Sequence, residues 1–541
     1  MTTPIGLRID DPRFWDAADL REEVNRVFDI CHSCRLCFKF CGSFPRLFEM
    51  IDQRSAENVQ EHLVAHPELA LEAARRRALA EAVVVKPSDE RHEVAETFGD
   101  ELPGLAARAA DLDGAEIDEV VELCFQCKLC DPACPYTPPH PWGIDVPRLF
   151  LRWKAQRLRE GRRGRRLLAL LRDPVRIGRW ASLAPRFAGR AQRSGPVRWL
   201  MEHLAGIDAR KHLPAPAREN FPRWWRRRRA ERSTAKAPGS ARGSELVAAS
   251  STAPHDAPGA GSIAVRATVP GDTESAARRT PVNLPGRVVL FSTCTVDWNS
   301  PVTGRAAVAV LEHNGIEVVW PAAQLCCGMP RLDGGDVEGA ARAVAHNTAV
   351  LLPWVERGYA VVVPSPSCSL MLREEAPQLV ASPAARAVAT ATRDLCDYVA
   401  ALGRAGRIDR TFSQRFGRVA YHVPCHIREQ QIGFRGRDIL KWFCEGVDLV
   451  QECSGHDGTW SMLREHFADS LAVGLRAADA MAQASSAGCG ASCTDCPLAA
   501  LQMHQIAGIR PVHPIVMMAR AYGLDVGDER GELFPAVGPG E

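Results

Sequence analysis

The sequence predicts an α+β multidomain protein, with a mostly helical first part and two α/β units of the same plan at its end. Three observations point there. Two cysteine runs, Cys31-x2-Cys34-x2-Cys37-x3-Cys41 and Cys124-x2-Cys127-x2-Cys130-x3-Cys134-Pro135, fall within residues 1–145. The 82 residues between them carry apolar residues at helical spacing in 61–84 and again in 105–123. Beyond residue 284 a pattern of apolar strand, cysteine and amphipathic helix occurs twice.

At 541 residues the chain is too long for one core. A hydrophobic share of 46% and a charged share of 24% are those of a soluble globular protein. No N-terminal stretch has the charged, apolar and small-residue zones of a secretory signal. The longest apolar runs, such as Ala360-Val361-Val362-Val363, are far short of the ~20 residues a membrane helix needs. A cytoplasmic location is therefore expected, with any membrane contact peripheral and on the inner face. In that reducing compartment nineteen cysteines, an odd number, point to metal rather than to disulfides.

Residues 1–145 read as a helical ferredoxin-type domain. A [4Fe–4S] cube needs four thiolates within a few ångströms, and a C-x2-C-x2-C loop delivers three while its turns aim amide N–H groups at sulfur. In two-cluster proteins of the bacterial type the fourth cysteine of each run serves the other cube. Cys31, Cys34, Cys37 and Cys134 are then expected to hold one cluster, and Cys124, Cys127, Cys130 and Cys41 the second. A zinc site more often shows two separated C-x2-C pairs than four cysteines in one run. Gly42 stands where proline usually follows the fourth cysteine, a residue that shapes the turn and is not a ligand. Two adjacent cubes imply an electron conduit.

Residues 146–232 form a basic helical spacer. Arg162-Arg163-Gly164-Arg165-Arg166 and Arg226-Arg227-Arg228-Arg229 bracket short helical patterns broken by Pro174, Pro185 and Pro196. Three readings stay open: a solvated linker whose arginines offset cluster charge, a docking face for anionic lipid or a partner, and nucleic-acid binding. Trp224-Trp225 suits an interfacial anchor. No nucleic-acid fold or interleaved aromatic platform is present, so no nucleic acid is expected as a partner. Residues 233–284, rich in Ala, Ser, Thr, Pro and Gly, read as a disordered linker.

The two α/β units are placed at 285–412 and 413–541. The first opens Arg287-Val288-Val289-Leu290-Phe291-Ser292-Thr293-Cys294 and the second Arg418-Val419-Ala420-Tyr421-His422-Val423-Pro424-Cys425. The first continues through thirty-one residues to Cys326-Cys327-Gly328 and thirty-six more to Ser365-x2-Cys368. In the second, twenty-seven residues lead to Cys453-Ser454-Gly455 and thirty-seven to Cys493-x2-Cys496. Parallel strands gather ligands at their carboxyl ends, where these cysteines fall. Cys489 reads as an auxiliary ligand or a core thiol, and Cys396 and Cys444 as core residues of helical patterns. His422, His426 and His456 flank the second cysteine set, with a structural role preferred over ligation or hydrogen bonding to sulfur.

This pattern resembles the CCG domain of heterodisulfide reductase catalytic subunits, in which five cysteines per repeat can hold a non-cubane iron–sulfur cluster. Each copy here keeps four of the five, with Ser365 and Ser454 replacing different ones. Four thiolates still suffice for an ordinary cluster, so Cys294, Cys326, Cys327 and Cys368, and Cys425, Cys453, Cys493 and Cys496, are expected to hold one or two further iron–sulfur clusters. The whole order, two cubane runs followed by two CCG domains, is similar to the C subunit of anaerobic glycerol-3-phosphate dehydrogenase and to the iron–sulfur subunit of glycolate oxidase. It is also similar to a bacterial group of heterodisulfide reductase-related iron–sulfur proteins often encoded beside rubrerythrin. Cys326-Cys327-Gly328-Met329-Pro330 and Cys453-Ser454-Gly455-His456-Asp457-Gly458-Thr459 carry that likeness.

The resemblance implies an iron–sulfur electron-transfer subunit of an oxidoreductase. It would relay electrons between a partner flavoprotein dehydrogenase, or a rubrerythrin-like redox protein, and an acceptor such as quinone. A thiol or heterodisulfide reductase acting at a CCG cluster, and a redox sensor without turnover, stay open. No G-x-G-x-x-G opens a strand–turn–helix unit, so hydride chemistry is expected of a partner.

Overall fold

Aspartates open three of the described α-helices of the first 160 residues. Asp16 accepts the amides of Ala18 and Asp19 at the start of α1 (Ala17–Cys34). After α2 (Ser43–Ala65), Asp113 and Glu116 form a reciprocal capping box on α3 (Gly114–Glu122). Asp145 caps α4 (Val146–Arg159), whose second residue is proline. Such caps contribute about 1 kcal/mol each. The helix expected over 105–123 begins only at Gly114, with turns and a short 3-10 segment before it. Val24, Phe28, Leu47, Ile51, Val121 and Phe150 close one apolar core around these helices.

The computed structural model describes residues 5–66, 105–161, 173–235, 284–527 and 534. The arginine run at 162–166, the helical pattern at 67–84 and the linker at 236–283 lie outside the described residues. Met1–Phe221 with Pro285–Glu541 make one compact unit, and Pro222–Leu284 a second. In the latter, Arg228 lies over the rings of Trp224 and Trp225 within α8 (Phe221–Ala235).

The basic spacer divides in two. Its first helix, α4, is a core element: Phe150 faces the ferredoxin-type core while Leu151 and Ala155 join the core of the first α/β unit. Arg152 and Lys154 within it are buried and partnered. Arg152 donates to the Phe14 carbonyl at 2.9 Å and pairs with Asp19 at 2.9 Å, and Lys154 Nζ donates to the Cys124 carbonyl at 2.8 Å. This stretch is therefore no solvated linker. The second part is three short helices, α5 (Pro174–Ala181), α6 (Pro185–Ala191) and α7 (Gly195–Ala205), each with proline in its first two positions.

Two parallel sheets carry the repeat. The first has the order β2-β1-β3-β4, from β1 (Arg287–Leu290), β2 (Glu317–Val319), β3 (Ala360–Val363) and β4 (Thr392–Asp394). The second has the order β6-β5-β7, from β5 (Phe416–His422), β6 (Cys444–Val450) and β7 (Ala491–Thr494). Val288, Val289, Val361 and Val362 are wholly buried, as strands covered on both faces require. Cys444 opens β6 and so belongs to a strand, not to the helix its apolar neighbours suggest. Cys489 is core, its thiol donating to Asp448 at 3.2 Å. The two units meet through α9 (Pro301–His313) against α16 (Pro514–Ala521), and α12 (Leu395–Arg404) against α13 (Arg435–Leu440).

Strand register corrects one expectation. Leu290 and Tyr421 each stand four residues before their unit's first cysteine, Cys294 or Cys425. Leu290 pairs with Val362, and Tyr421 with Cys493. Val362 and Cys493 are therefore equivalent. Three residues on, Ser365 and Cys496 are also equivalent, each the N-cap of a helix that opens with proline: α11 (Pro366–Leu370) and α15 (Pro497–Ala507). Cys368 then corresponds to Ala499. Cys493 lies inside β7, wholly buried, and matches a strand residue rather than a cysteine of the first copy.

Candidate metal centres

In the two cysteine runs, turns that most side chains avoid bring the thiols together. Arg35, Gln126 and Lys128, each between two cysteines, take left-handed backbone with φ of 55°, 55° and 59°. Alternation of right- and left-handed residues points successive amide N–H groups to one side, a cradle for negative sulfur. Amides of Ser43 and Phe44 serve Cys41, that of Gln126 serves Cys124, and that of Leu129 serves Cys127.

Two cavities result. One is lined by Cys31, Cys34, Cys37 and Cys134, the other by Cys41, Cys124, Cys127 and Cys130. The fourth cysteine of each run thus joins the other run's three. Phe44 is in the wall of both cavities, so little more than one ring separates them. Burial pushes the thiols of Cys37 and Cys124 up to about 12. Without metal such groups keep their protons, and a metal binds by displacing them. Four convergent thiols in an apolar cavity, served by amide donors, fit an iron–sulfur group.

In the first α/β unit the thiols of Cys294, Cys326, Cys327 and Cys368 hydrogen-bond in series. Gly328, at φ 102°, brings this loop against α10 (Val337–Glu356), where an added Cβ would meet the Ala340 carbonyl at 3.3 Å. In the second unit Cys425 faces Cys453 and Cys496, with Cys127 of the ferredoxin-type motif close by. Burial pushes Cys453 and Cys496 up to about 11. Gly455, at φ 67°, has the Ser470 carbonyl of α14 (Phe467–Ser486) against the place where a Cβ would stand, which explains glycine after Cys453-Ser454.

The three histidines differ. His422 bridges Thr494 Oγ1 at 3.0 Å and the Glu452 carbonyl at 3.1 Å. His426 joins Ser367 Oγ at 2.8 Å to the Gln126 carbonyl at 3.1 Å, tying both α/β units to the cubane loop. Among the described residues, neither ring nitrogen of His456 has a hydrogen-bond partner. Sequence reasoning missed the buried pair beneath the second cavity. Lys128 Nζ lies 2.5 Å from Glu375 Oε1, and Arg148 Nε 3.2 Å from Oε2. Burial alone would raise the Glu375 carboxyl, yet Lys128 and Arg148 hold it down at about 2. The partners are 247 residues apart, and a lysine between two cysteines reads as exposed. Asp333 and Asp457 were missed too: burial raises both carboxyls, Asp333 to about 7.

Residues 288–373 match the model of the CCG cysteine-rich domain, and residues 94–160 that of the citrate utilization protein B Fer4-like domain. Lactate utilization protein A of Bacillus cytotoxicus is 32% identical over 185 residues, covering 32% of this chain and 74% of that protein. Its counterpart in a Geobacillus species is 30% identical over 187 residues, 32% of this chain and 75% of the relative. This chain belongs to the lactate utilization protein A family. Like that family it is a CCG-type iron–sulfur protein associated with oxidoreductase chemistry, related to the glycolate oxidase and glycerol-3-phosphate dehydrogenase iron–sulfur subunits. No described helix is long and apolar enough to cross a membrane.

Proposed function

We propose that this chain is the electron relay of a multi-subunit oxidoreductase. Cys31, Cys34, Cys37 and Cys134 would hold one [4Fe–4S] cluster, and Cys41, Cys124, Cys127 and Cys130 another. A third iron–sulfur group would sit at Cys425, Cys453 and Cys496, or at Cys294, Cys326, Cys327 and Cys368. When bound, such groups supply one-electron chemistry. The protein's part is to hold them close and dry. The exchange of Cys41 and Cys134 between the two runs carries this reading, because it is the arrangement of a two-cluster conduit. Phe44 in the wall of both cavities, and Cys127 beside both its own cavity and Cys425, support a reading with three sites in sequence.

The first cavity is the entry. Leu36, Phe38 and Trp142 around it are exposed, a surface suited to a partner flavoprotein dehydrogenase or rubrerythrin-like protein. The relatives' name points to lactate as the partner's substrate. Quinone suits the acceptor end. Trp180, Leu183 and Phe187, 69%, 78% and 74% exposed, stand among Arg176, Arg179, Arg186 and Arg190 on α5 and α6. Such a face docks on anionic lipid, each basic residue adding about 1 kcal/mol. An open groove lined by Arg176, Arg179, Trp180 and Leu183 reaches Leu325, the neighbour of Cys326.

Anaerobic iron analysis with electron paramagnetic resonance tests the relay. About eight irons are expected from the two cubane sites, and more where a CCG site is filled. Cys134→Ser should disturb only the cluster of Cys31, Cys34 and Cys37. Loss of the other cluster's signal instead, or fewer than about four irons in the wild type, would overturn the assignment.

A further inference from the structure

A group of ligand atoms outside every cysteine set discussed so far lies between the two α/β units. Cys396 is the second residue of α12, in the first unit. Asp495 follows β7 and His513 caps α16, both in the second. Sγ of Cys396, a carboxylate oxygen of Asp495 and a ring nitrogen of His513 lie within 4.8 Å of one another, and all three residues are buried. Cys396 Sγ is 3.0 Å from Asp495 Oδ1. His513 Nδ1 accepts the Ile515 amide at 3.1 Å, which fixes the ring and leaves Nε2 as the available ligand atom.

A second observation points to a cation. Asp394 stands beside Asp495, its Oδ1 taking the Cys396 amide at 2.9 Å and its Oδ2 the Ser369 hydroxyl at 3.4 Å. Both aspartates are at most 2% exposed. Among the described residues neither forms an ion pair with lysine, arginine or histidine, unlike Asp397 nearby, which pairs with Arg393 at 2.9 Å. Two neighbouring acidic side chains without a counter-charge are costly to ionise in an apolar interior, and a divalent cation removes that cost. The Tyr421 hydroxyl, which donates to Asp495 Oδ2, steadies the carboxylate from its other side.

We propose that Cys396, Asp495 and His513 form a structural zinc site that pins the two α/β units together, with Asp394 or a water completing it. One thiolate, one imidazole and carboxylate oxygen, buried and within 4.8 Å of one another, are a mixed donor set that zinc takes, whereas a cube is held by thiolates. Zinc needs no redox partner, and binding only displaces the thiol proton. The site is independent of the relay reading, since none of its ligands belongs to a cubane or CCG set.

Zinc and iron are to be measured on the full-length protein, purified anaerobically from zinc-supplemented cells, for wild type, Cys396→Ser and His513→Gln. The expected result is about one zinc per wild-type chain, lost in both variants, with iron content and cluster resonances unchanged. Zinc absent from the wild type overturns the proposal. So does zinc that survives both substitutions and leaves only with Cys294→Ser or Cys425→Ser. Should the variants not fold, zinc-edge X-ray absorption of the wild type decides. One sulfur and three lighter ligands support the site, whereas three or four sulfurs place the metal in a cysteine set and refute it.

Discussion

Replacing Glu375 with glutamine should destabilise the chain far more than the loss of a surface ion pair. Lys128 and Glu375 are 1% and 0% exposed at the side chain, with Nζ and Oε1 2.5 Å apart. Removing one partner of such a pair strands a buried charge and costs about 3–5 kcal/mol, against about 0–1 kcal/mol for an exposed pair. With about 2.1 cal/mol/K of unfolding entropy per residue, a unit of this size shifts by about 1 °C for each kcal/mol, so the unfolding midpoint should fall by roughly 3–5 °C. Arg148 moderates this, because it keeps Asp145 at 3.1 Å when Glu375 is gone. Urea and thermal unfolding of cluster-loaded protein under argon measure the loss. The double variant Lys128→Met/Glu375→Gln removes the stranded ammonium and should recover at least about 2 kcal/mol. An E375Q midpoint within about 1 kcal/mol of wild type, or a double variant no better than the single, would refute the buried-pair account. The pH dependence has a definite sign. Glu375 is held at about 2 against an ordinary 4.5, so its contribution is full above pH 4.5 and drains as pH falls toward 2. The gap between wild type and E375Q should narrow across that window.

Strand register makes Cys493→Ser silent for iron content, whereas Cys496→Ser should lower iron and alter the resonance of the second α/β unit; the reverse outcome would restore the simple C-x2-C alignment. Converting Trp180, Leu183 and Phe187 together to serine should abolish co-sedimentation with anionic phospholipid vesicles and leave iron content intact, while equal binding by the triple variant would exclude this face. Trp460→Ala should cost about 3–5 kcal/mol in urea unfolding. That ring stacks on His466 at 4.7 Å, meets Phe125 at 5.2 Å, and donates from Nε1 to the Glu122 carbonyl at 2.7 Å.

The cysteine runs made the two cavities legible, since three of four ligand positions in each follow from a single tight loop. Even the exchange of Cys41 and Cys134 is readable, because the spacing repeats that of proteins in which the exchange is a consequence of two facing loops. The second CCG copy was less legible for a definite reason. Cys493 and Cys496 offer the right spacing, but pairing of β5 with β7 decides which thiol reaches the strand's end, and that register is a three-dimensional fact. Likewise Cys127 facing Cys425 joins residues 298 positions apart, and no local pattern encodes it. Cys396 was legible as buried, yet its chemistry depends on Asp495 and His513, which only the packing of one unit on the other supplies.

The basic spacer shows how charge counting fails where periodicity succeeds. Arginine and lysine are five of the fourteen residues in 146–159 against five of the twenty-six in α5 to α7, so composition alone would put the first stretch in solvent. Their apolar spacing differs. In α4, Phe150 belongs to one face and Leu151 and Ala155 to another, so the helix is covered from two sides and has little surface left for water. Its cations must then find partners inside, and they do: Arg152 at the Phe14 carbonyl and Asp19, Lys154 at the Cys124 carbonyl, Arg157 at Asp118, 2.8 Å away. On α5 to α7, by contrast, Trp180, Phe187 and Trp199 are themselves exposed, so both the apolar and the basic residues face outward. A helix whose apolar residues cover two faces is a core helix whatever its charge, and a basic helix whose aromatic residues are left bare is a surface waiting for a partner.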